Sequence, residues 1–389
     1  MQIVERMGFM GGILIVDDSP LMLRLFKDTL TKSGYTKVYT AGSAPEAFQI
    51  LGISEDGKPG KARAQIDLIL LDIVMPVMDG VEACRIIKRQ ESYKDLPVIF
   101  VTASKNQLQC AFNAGGMDFI QKDFEQYELL ARVKSALKLK KEMDSGRAKD
   151  KKMERELQLA KLVQNSVLSP PIINDEIEIH GKYIESDQVS GDMYYWTKVA
   201  PHKYAVLILD VSGHGLSSAL ITMSVRSMLE GMIKKEQDPL SIFQELNQQM
   251  LMLFGGTKKL IYFTAIYLLI DTEKKTIEYF NAGHPPGMLM DGSPNPIIRL
   301  ESTTVPIGIK KNPAYSKGEL TYQSGARILL YTDGLVEKPG VSLAKSIMRL
   351  EYFVSQMKIK SNEDFIERIA VIKDRKSDDI CIISIHLLS

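Results

Sequence analysis

The chain has 389 residues, of which 45% are hydrophobic and 25% charged, and this composition is that of an ordinary water-soluble protein with room for two or three domains. The formal net charge of +1 and the single Trp argue against a nucleic-acid partner. No apolar run approaches the roughly 20 residues that span a bilayer, and Cys84, Cys110 and Cys381 are sparse, as suits a reducing compartment. We therefore expect a cytoplasmic protein without membrane insertion. The residues before Gly11 are expected to form a tail, in which Met7 or Met10 is a candidate start.

Four short apolar runs alternate with amphipathic helical segments in the N-terminal third of the chain. They cover residues 13–16, 67–71, 97–101 and 117–120, and a charged stretch at 52–65 predicts a lengthened surface loop before the second of them. The alternation predicts an α/β fold with a doubly wound parallel sheet, which binds ligands beyond the carboxyl ends of its strands. The side chains expected at that edge are three acids, a hydroxyl and an ammonium: Asp17, Asp18, Asp72, Thr102 and Lys122.

Each of these polar residues has an ordinary structural explanation, because acids cap helices and a Lys solvates a surface. Together they suit a small Mg²⁺ site in which one carboxylate accepts a phosphoryl group and the Lys neutralises it. The motifs ILIVDDSP, ILLDIVMPVMDG, VIFVTAS and DFIQKDF resemble the receiver domain of two-component response regulators, which has a five-stranded flavodoxin-like fold.

The resemblance implies a histidine kinase or a phosphotransfer protein as partner, and a role for each matching position. The usual Pro after the Lys is Asp123 here. The implied roles are phosphoacceptor for Asp72, Mg²⁺ ligand for Asp17, Asp18, Asp72 and the Val74 carbonyl, phosphoryl contact for Thr102 and Lys122, and rotamer switch for Phe119.

A helical connector is predicted over residues 125–168, ending before Pro170 and Pro171. Its second half places Met153, Leu157, Ala160 and Val167 near a 4-3 spacing that Gln164 interrupts. About two heptads are too short for a free coiled coil but suit a helix that pairs in a dimer. A solvated linker helix is the alternative. We prefer a homodimer through this segment, because its sequence LQLAKLVQNSVLSP resembles the helical segment that leads into the C-terminal domain in the family which that domain resembles.

A second set of acids lies about 120 residues further along the chain, and three of its four places are at or near the ends of apolar runs. Each alone is typical of a turn or a helix cap. Carboxylates that converge repel one another unless hard cations lie between them, and oxygen ligands suit Mg²⁺ or Mn²⁺. The pattern therefore predicts a two-metal hydrolytic site. The acids are Asp192 in VSGDMYYW, Asp210 in LILDVSGHG, Asp333 in LLYTDGLVE, and Asp378 with Asp379 in KSDDICII.

With NAGHPP at 281–286 and PIGI at 306–309, these motifs make residues 155–389 resemble the metal-dependent protein phosphatase 2C family, in particular its bacterial branch of the sporulation stage II E type. The resemblance implies two Mn²⁺ or Mg²⁺ ions and hydrolysis of phosphoserine or phosphothreonine by a metal-held water. Many relatives carry an acid where this chain has Tyr195, and no Arg occurs between Arg155 and Arg226. The implied ligands are Asp210, bridging both metals, with the Val211 carbonyl; Asp192 on one metal; and Asp333 and Asp378 on the other, Asp379 being the weaker candidate of its pair.

Two histidines near these motifs are candidate general acids, but a structural role is favoured for both. His214 lies between Gly213 and Gly215, and His284 precedes two prolines. The two glycines are expected to let the backbone approach the metals before a helix begins near Leu216.

Strands expected at 204–209, 262–270, 277–280, 327–331 and 381–387, with helices at 216–235, 240–254, 342–357 and 362–373, predict an αββα sandwich. The expected division is a receiver domain at 1–140, a helical linker at 141–170 and a phosphatase-like domain at 171–389. The expected function is a response regulator whose phosphatase, controlled through Asp72, acts on a phosphorylated anti-sigma-factor antagonist. The alternative is a pseudophosphatase or phosphoprotein-binding scaffold regulated by the receiver.

Overall fold

The computed structural model describes residues 11–54, 60–103, 108–186, 189–235, 238–256, 259–291, 297–359, 361–372 and 378–389. The chain divides into two compact units, Met1–Lys152 and Met153–Ser389. The predicted tail before Gly11 and the middle of the predicted 52–65 loop lie outside the described residues. Within those ranges, no helix is both long and apolar enough to cross a bilayer.

The N-terminal unit is built on one parallel five-stranded sheet in the order β2-β1-β3-β4-β5. Both sheet faces are covered: Leu14 and Leu71 pack in one core, Ile13 and Leu70 in the other. The expected flavodoxin-like sheet is confirmed. The strands are β1 (Gly12–Val16), β2 (Val38–Ala41), β3 (Ile66–Asp72), β4 (Val98–Thr102) and β5 (Asp118–Gln121), and the helices are α1 (Pro20–Lys32), α2 (Ala44–Leu51), α3 (Gly80–Arg89), α4 (Leu108–Asn113) and α5 (Gln126–Ser166).

Helix α5 is the connector that the sequence predicts, and it is continuous over 41 residues. Its first turns belong to the N-terminal core through Leu129, Val133 and Leu137. Gly146 and the charged stretch around it do not interrupt the helix, and the division between the two units falls within it.

The C-terminal unit contains two sheets, in the orders β14-β11-β10-β9-β8 and β13-β12-β15-β16-β7-β6. All pairs among these strands are antiparallel. The strands are β6 (Ile172–Ile173), β7 (Ile177–Ile184), β8 (Asp192–Ala200), β9 (Lys203–Val211), β10 (Phe263–Asp271), β11 (Thr276–Ala282), β12 (Gly287–Met290), β13 (Ile298–Leu300), β14 (Gly318–Thr321), β15 (Arg327–Tyr331) and β16 (Ile380–Leu387), and the helices are α6 (Leu216–Lys235), α7 (Pro239–Phe254), α8 (Leu343–Ser355) and α9 (Asn362–Ala370).

Alternation along the strands builds three apolar layers in this unit. Ile208 of the first sheet and Ile383 of the second lie in the core between the sheets, which also holds Trp196. Leu207 faces the other way, toward α6 and α7, and Leu329 faces α8 and α9. Because each sheet buries one face on the other sheet and one on helices, the predicted αββα sandwich is confirmed.

Candidate functional sites

The carboxyl edge of the parallel sheet brings together the polar residues predicted there. Asp72 ends β3, and carboxylate oxygens of Asp17, Asp18 and Asp72 all lie within 4.8 Å of one another. Lys122, just after β5, places its Nζ 2.8 Å from Asp72 Oδ2 and 3.0 Å from Asp17 Oδ2. Thr102 is buried at the end of β4, and its carbonyl accepts a hydrogen bond from the Lys122 backbone N–H.

The charges at this edge are only partly balanced. Burial, and then the nearby charge of Asp17, raise the pKa of Asp72, although Lys122 opposes the shift. Burial alone would lower the pKa of Lys122, but its hydrogen bonds to Asp72 and Asp17 raise it. One ammonium thus faces three carboxylates, so their oxygens suit a hard divalent cation such as Mg²⁺.

The remaining receiver positions lie around this cluster. The backbone N–H of Val74 donates to Asp72 Oδ1 at 3.4 Å, so the turn that carries the predicted carbonyl ligand is adjacent to the acceptor. Phe119 is partly buried, with the ring of Phe112 at 6.3 Å and the Arg132 guanidinium at 5.8 Å. The predicted rotamer change of Phe119 stays a prediction.

Gly80, the last residue of the ILLDIVMPVMDG motif, was not assigned a role from the sequence. A Cβ at this position would lie 1.9 Å from the Asp72 carbonyl oxygen. The glycine therefore permits the close approach of α3 to the end of β3, and the motif itself was the signal for it.

In the C-terminal unit, Asp192 and Asp210 are directly opposite each other on the neighbouring strands β8 and β9. Both occupy positions whose side chains alternate toward the second sheet, as do Tyr194 and Ile208. Asp192 is 4% exposed and its Oδ2 has no hydrogen-bond partner within the described residues. Like charges directly opposite destabilise a sheet, so this pair requires protons or cations.

The second sheet supplies the other acids. Asp333 begins a short 3-10 helix directly after β15, and Asp378 and Asp379 directly precede β16. A Cβ on Gly334 would lie 1.8 Å from the Asp379 carbonyl oxygen, so these two segments touch. Asp192 begins a strand and the 378–379 pair precedes one, whereas Asp210 and Asp333 lie near strand ends. In antiparallel sheets, strand starts and ends meet at one edge.

The acids of the two sheets are close enough to influence one another's pKa. Burial, followed by the charges of Asp333, Asp378 and Asp379, raises the pKa of Asp210. Burial and the charge of Asp210 raise the pKa of Asp192 well above its ordinary value. Partly buried carboxylates whose charges oppose one another suit divalent cations.

Two of the weaker assignments are clarified by local contacts. Asp379 Oδ1 accepts hydrogen bonds from the Ser186 backbone N–H and hydroxyl, both at 2.8 Å, which supports its structural rather than ligand role. Tyr195 lies in the core between the first sheet and its helices, on the face of β8 opposite Asp192. The Arg226 guanidinium stacks 3.7 Å from that ring and pairs with Glu230.

His284 is buried and connects the two sheets. Its Nε2 lies 3.1 Å from the Tyr331 carbonyl oxygen and its Nδ1 2.7 Å from the Thr264 hydroxyl. A carbonyl only accepts, so Nε2 carries the proton and Nδ1 accepts from Thr264. Burial lowers the pKa of His284 to about 3, so the ring stays neutral. These contacts support the structural role.

His214 is exposed between two left-handed glycines, Gly213 with φ of 95° and Gly215 with φ of 82°. A Cβ at either glycine would meet no atom within 4 Å. The positive φ values of the backbone require glycine at both positions, and the approach of this backbone to the metals stays a prediction. Helix α6 begins at Leu216, as predicted.

Comparisons with known proteins agree with the division of the chain into two units. A family model for the stage II sporulation protein E matches residues 200–388, and one for the response regulator receiver domain matches residues 13–134. The chain is 39% identical over 184 residues to the phosphoserine phosphatase RsbP of Bacillus subtilis (strain 168), a match that covers 47% of this chain and 45% of RsbP. It therefore spans less than half the length of that relative.

The N-terminal unit is 32% identical over 127 residues to a chemotaxis protein CheY homolog of Campylobacter jejuni, which covers 32% of this chain and 91% of the relative. The SiaA-PP2C domain of Pseudomonas aeruginosa has a similar fold, with a TM-score of 0.50 and 22% identity over 62% of this chain and 99% of that one. The chain belongs to the response regulator receiver family, and it carries a C-terminal phosphatase domain of the stage II sporulation protein E type.

Proposed function

We propose that this chain is a two-component response regulator whose output is metal-dependent phosphoserine or phosphothreonine phosphatase activity. The observation that carries the proposal is the position of Asp192 directly opposite Asp210, whose pKa is raised by burial and then by the charges of Asp333 and Asp378 from the second sheet. Two Mn²⁺ or Mg²⁺ ions bound there would activate a water and neutralise the phosphoryl oxygens. In this proposal Asp210 bridges the two ions with help from the Val211 carbonyl, Asp192 binds one, and Asp333 and Asp378 bind the other.

The receiver part of the proposal rests on the ion pairs at the carboxyl edge. Asp72 would accept a phosphoryl group from a histidine kinase or phosphotransfer protein, with Mg²⁺ held by Asp17, Asp18, Asp72 and the Val74 carbonyl. Lys122 contacts the Asp72 carboxylate and would contact the phosphoryl group once Asp72 is phosphorylated. Thr102 at the end of β4 is the proposed hydroxyl partner.

The phosphoprotein substrate is proposed to be an anti-sigma-factor antagonist, because the C-terminal domain is of the type found in partner-switching phosphatases. We also propose a cytoplasmic location, supported by three free cysteines, and the domain division at 1–140, 141–170 and 171–389.

A homodimer through α5 is a further part of the proposal, supported by exposed apolar side chains on its second half. Leu159, Leu162 and Val163 are each more than half exposed. Gln164, which interrupts the predicted 4-3 spacing, is instead buried against its own unit. We propose that a second copy meets the face that carries Leu159 and Leu162; of the predicted seam Met153, Leu157, Ala160 and Val167, Met153 is also more than half exposed.

Hydrolysis of p-nitrophenyl phosphate and of a phosphoserine peptide by the full chain, with and without Mn²⁺, tests the activity. Asp210→Asn should lower the rate at least about 10²-fold, since one charged element of such a site commonly contributes that much. Asp175→Asn, at an exposed position in the same unit, is the control and should keep the wild-type rate. Binding of the phosphopeptide without turnover would favour the alternative, a pseudophosphatase or scaffold.

Acetyl phosphate labelling with Mg²⁺ tests the receiver. Asp72→Ala should take up no label, whereas Asp28→Ala, an exposed acid on α1, should label like wild type. Labelling that survives in the Asp72→Ala protein would place the acceptor elsewhere.

A further inference from the structure

The last turns of α5 contact the segment that leads into β8. Gln164 is 3% exposed, its Nε2 donates to the Ser190 carbonyl oxygen at 2.7 Å, and its Oε1 accepts from the Ser190 backbone N–H at 3.1 Å. The amide thus satisfies both backbone groups of one fully buried residue. A side chain that does this holds the backbone in one orientation, because loss of either bond leaves a buried polar group unpaired.

Hydrogen bonds also fix the backbone of the next two residues, Gly191 and Asp192. The Ser190 hydroxyl accepts from the Asp192 backbone N–H at 2.9 Å, and the buried Thr222 hydroxyl of α6 donates to the Gly191 carbonyl oxygen at 2.6 Å. That carbonyl also accepts from the Val211 backbone N–H at 3.3 Å. A chain of hydrogen bonds therefore runs from Gln164 through Ser190 to the backbone of the acid opposite Asp210.

We propose that Gln164 is a positioning residue for the phosphatase metal site: it fixes residues 190–192 so that the Asp192 carboxylate faces Asp210, and thereby sets the affinity for divalent cations. This inference rests on the proposed function of the site. Groups that orient metal ligands through hydrogen bonds typically change metal affinity 10- to 100-fold when they are removed. A merely structural Gln would change stability and leave that affinity unchanged.

The test compares Gln164→Leu, which keeps the size of the side chain and removes both hydrogen bonds, with Gln158→Leu, an exposed position on the same helix. Mn²⁺ binding to the full chain is measured by calorimetry, and heat that is missing in Asp210→Asn is assigned to the phosphatase site. Gln164→Leu should weaken Mn²⁺ binding at that site about tenfold or more, raise the Mn²⁺ concentration for half-maximal rate to the same extent, and keep kcat at saturating Mn²⁺ within about threefold. Gln158→Leu should match wild type.

Wild-type Mn²⁺ affinity in a folded Gln164→Leu protein would overturn the positioning role, whatever the fate of the phosphatase proposal. If wild type binds Mn²⁺ but hydrolyses no phosphoserine, the phosphatase proposal fails while the calorimetric comparison still decides the role of Gln164. Should Gln164→Leu not fold, as judged by Trp196 fluorescence, the near-isosteric Thr222→Val removes the bond to Gly191. It should weaken Mn²⁺ binding in the same direction, and an unchanged affinity would overturn the inference.

Discussion

Buried carboxylates dominate both candidate sites, but their charge is compensated differently. In the N-terminal unit Lys122 pairs with both Asp17 and Asp72. In the part of the C-terminal unit that is described, neither Asp192 nor Asp210 forms an ion pair with a basic side chain. The carboxylates of Asp192 and Asp210 therefore depend on protons or cations for their charge balance, and without them the two repel each other.

Asp210→Asn should consequently raise the melting temperature of the metal-free C-terminal unit by about 2–4 °C for each kcal/mol of repulsion removed. The same substitution should abolish the further rise that Mn²⁺ gives to wild type. Trp196, the single Trp of the chain, lies in the core of this unit and reports its unfolding. Asp175→Asn should behave as wild type with and without Mn²⁺; a metal-free Asp210→Asn protein less stable than wild type would contradict the repulsion.

His284 gives a pH dependence whose sign follows from its lowered pKa. The folded ring stays neutral down to about pH 3, whereas the unfolded ring binds a proton below about 6.5, so acid favours the unfolded state. Between pH 7.5 and 5.5 the wild-type unit should lose about 1.4 kcal/mol more unfolding free energy than His284→Gln does.

Urea unfolding followed by Trp196 fluorescence measures that difference for the two proteins at both pH values. The exposed His214→Gln variant is the control, and it should lose the same amount as wild type. Equal losses in wild type and His284→Gln would show that the ring is charged in the folded protein.

Single residues differ in how far the sequence predicts them. The acids Asp72, Asp192 and Asp210 stand in motifs. The structure places Asp72 beside Asp17 and Asp18, and Asp192 opposite Asp210. The bonds between Gln164 and Ser190, and between His284 and Tyr331, join segments far apart in the chain, so local sequence carries no signal for them. Tyr195 departs from the family pattern, and its burial on the opposite face of β8 is a consequence of strand alternation.

At the scale of elements, the apolar runs named from the sequence correspond to strands, whereas several short strands and the longer β7 and β8 were not predicted. Strands β6 and β13 have two and three residues, too few for a periodic pattern. Strand β8 buries its first five residues on both faces, so it shows no alternation of apolar and polar residues, and it was not predicted. Helix α9 ends at Ala370, earlier than expected, and residue 373 lies outside the described ranges.

The exposed face of α5 leads to a prediction on assembly. Because Leu159 and Leu162 are exposed and Leu157 is partly buried, Leu159→Lys with Leu162→Lys should convert a dimer into a monomer in analytical ultracentrifugation. Gln158→Lys adds the same charge at a neighbouring exposed position and should leave the dimer intact. A wild type that sediments as a monomer at all concentrations would contradict pairing through α5.

At the scale of the whole molecule, α5 is the element that both units share. Its first turns lie in the core of the N-terminal unit, and Gln164 near its end binds the segment that precedes Asp192. A continuous helix transmits rotation as well as displacement. If phosphorylation of Asp72 changes how two copies of α5 pair, a bias of about 1–3 kcal/mol would change activity roughly 5- to 150-fold.

Insertions after Gly146 test whether the phase of this helix matters. One added Ala rotates the distal half by about 100°, close to a third of a turn, whereas seven added residues restore nearly the original phase and only lengthen the helix. The single insertion should uncouple activity from Asp72 phosphorylation and spare basal Mn²⁺-dependent hydrolysis. The seven-residue insertion should retain regulation. Rates with and without beryllofluoride, together with sedimentation of each protein, provide the measurement. Regulation that survives the single insertion would show that the phase of α5 does not carry the signal, and would favour direct occlusion of the phosphatase site by the receiver.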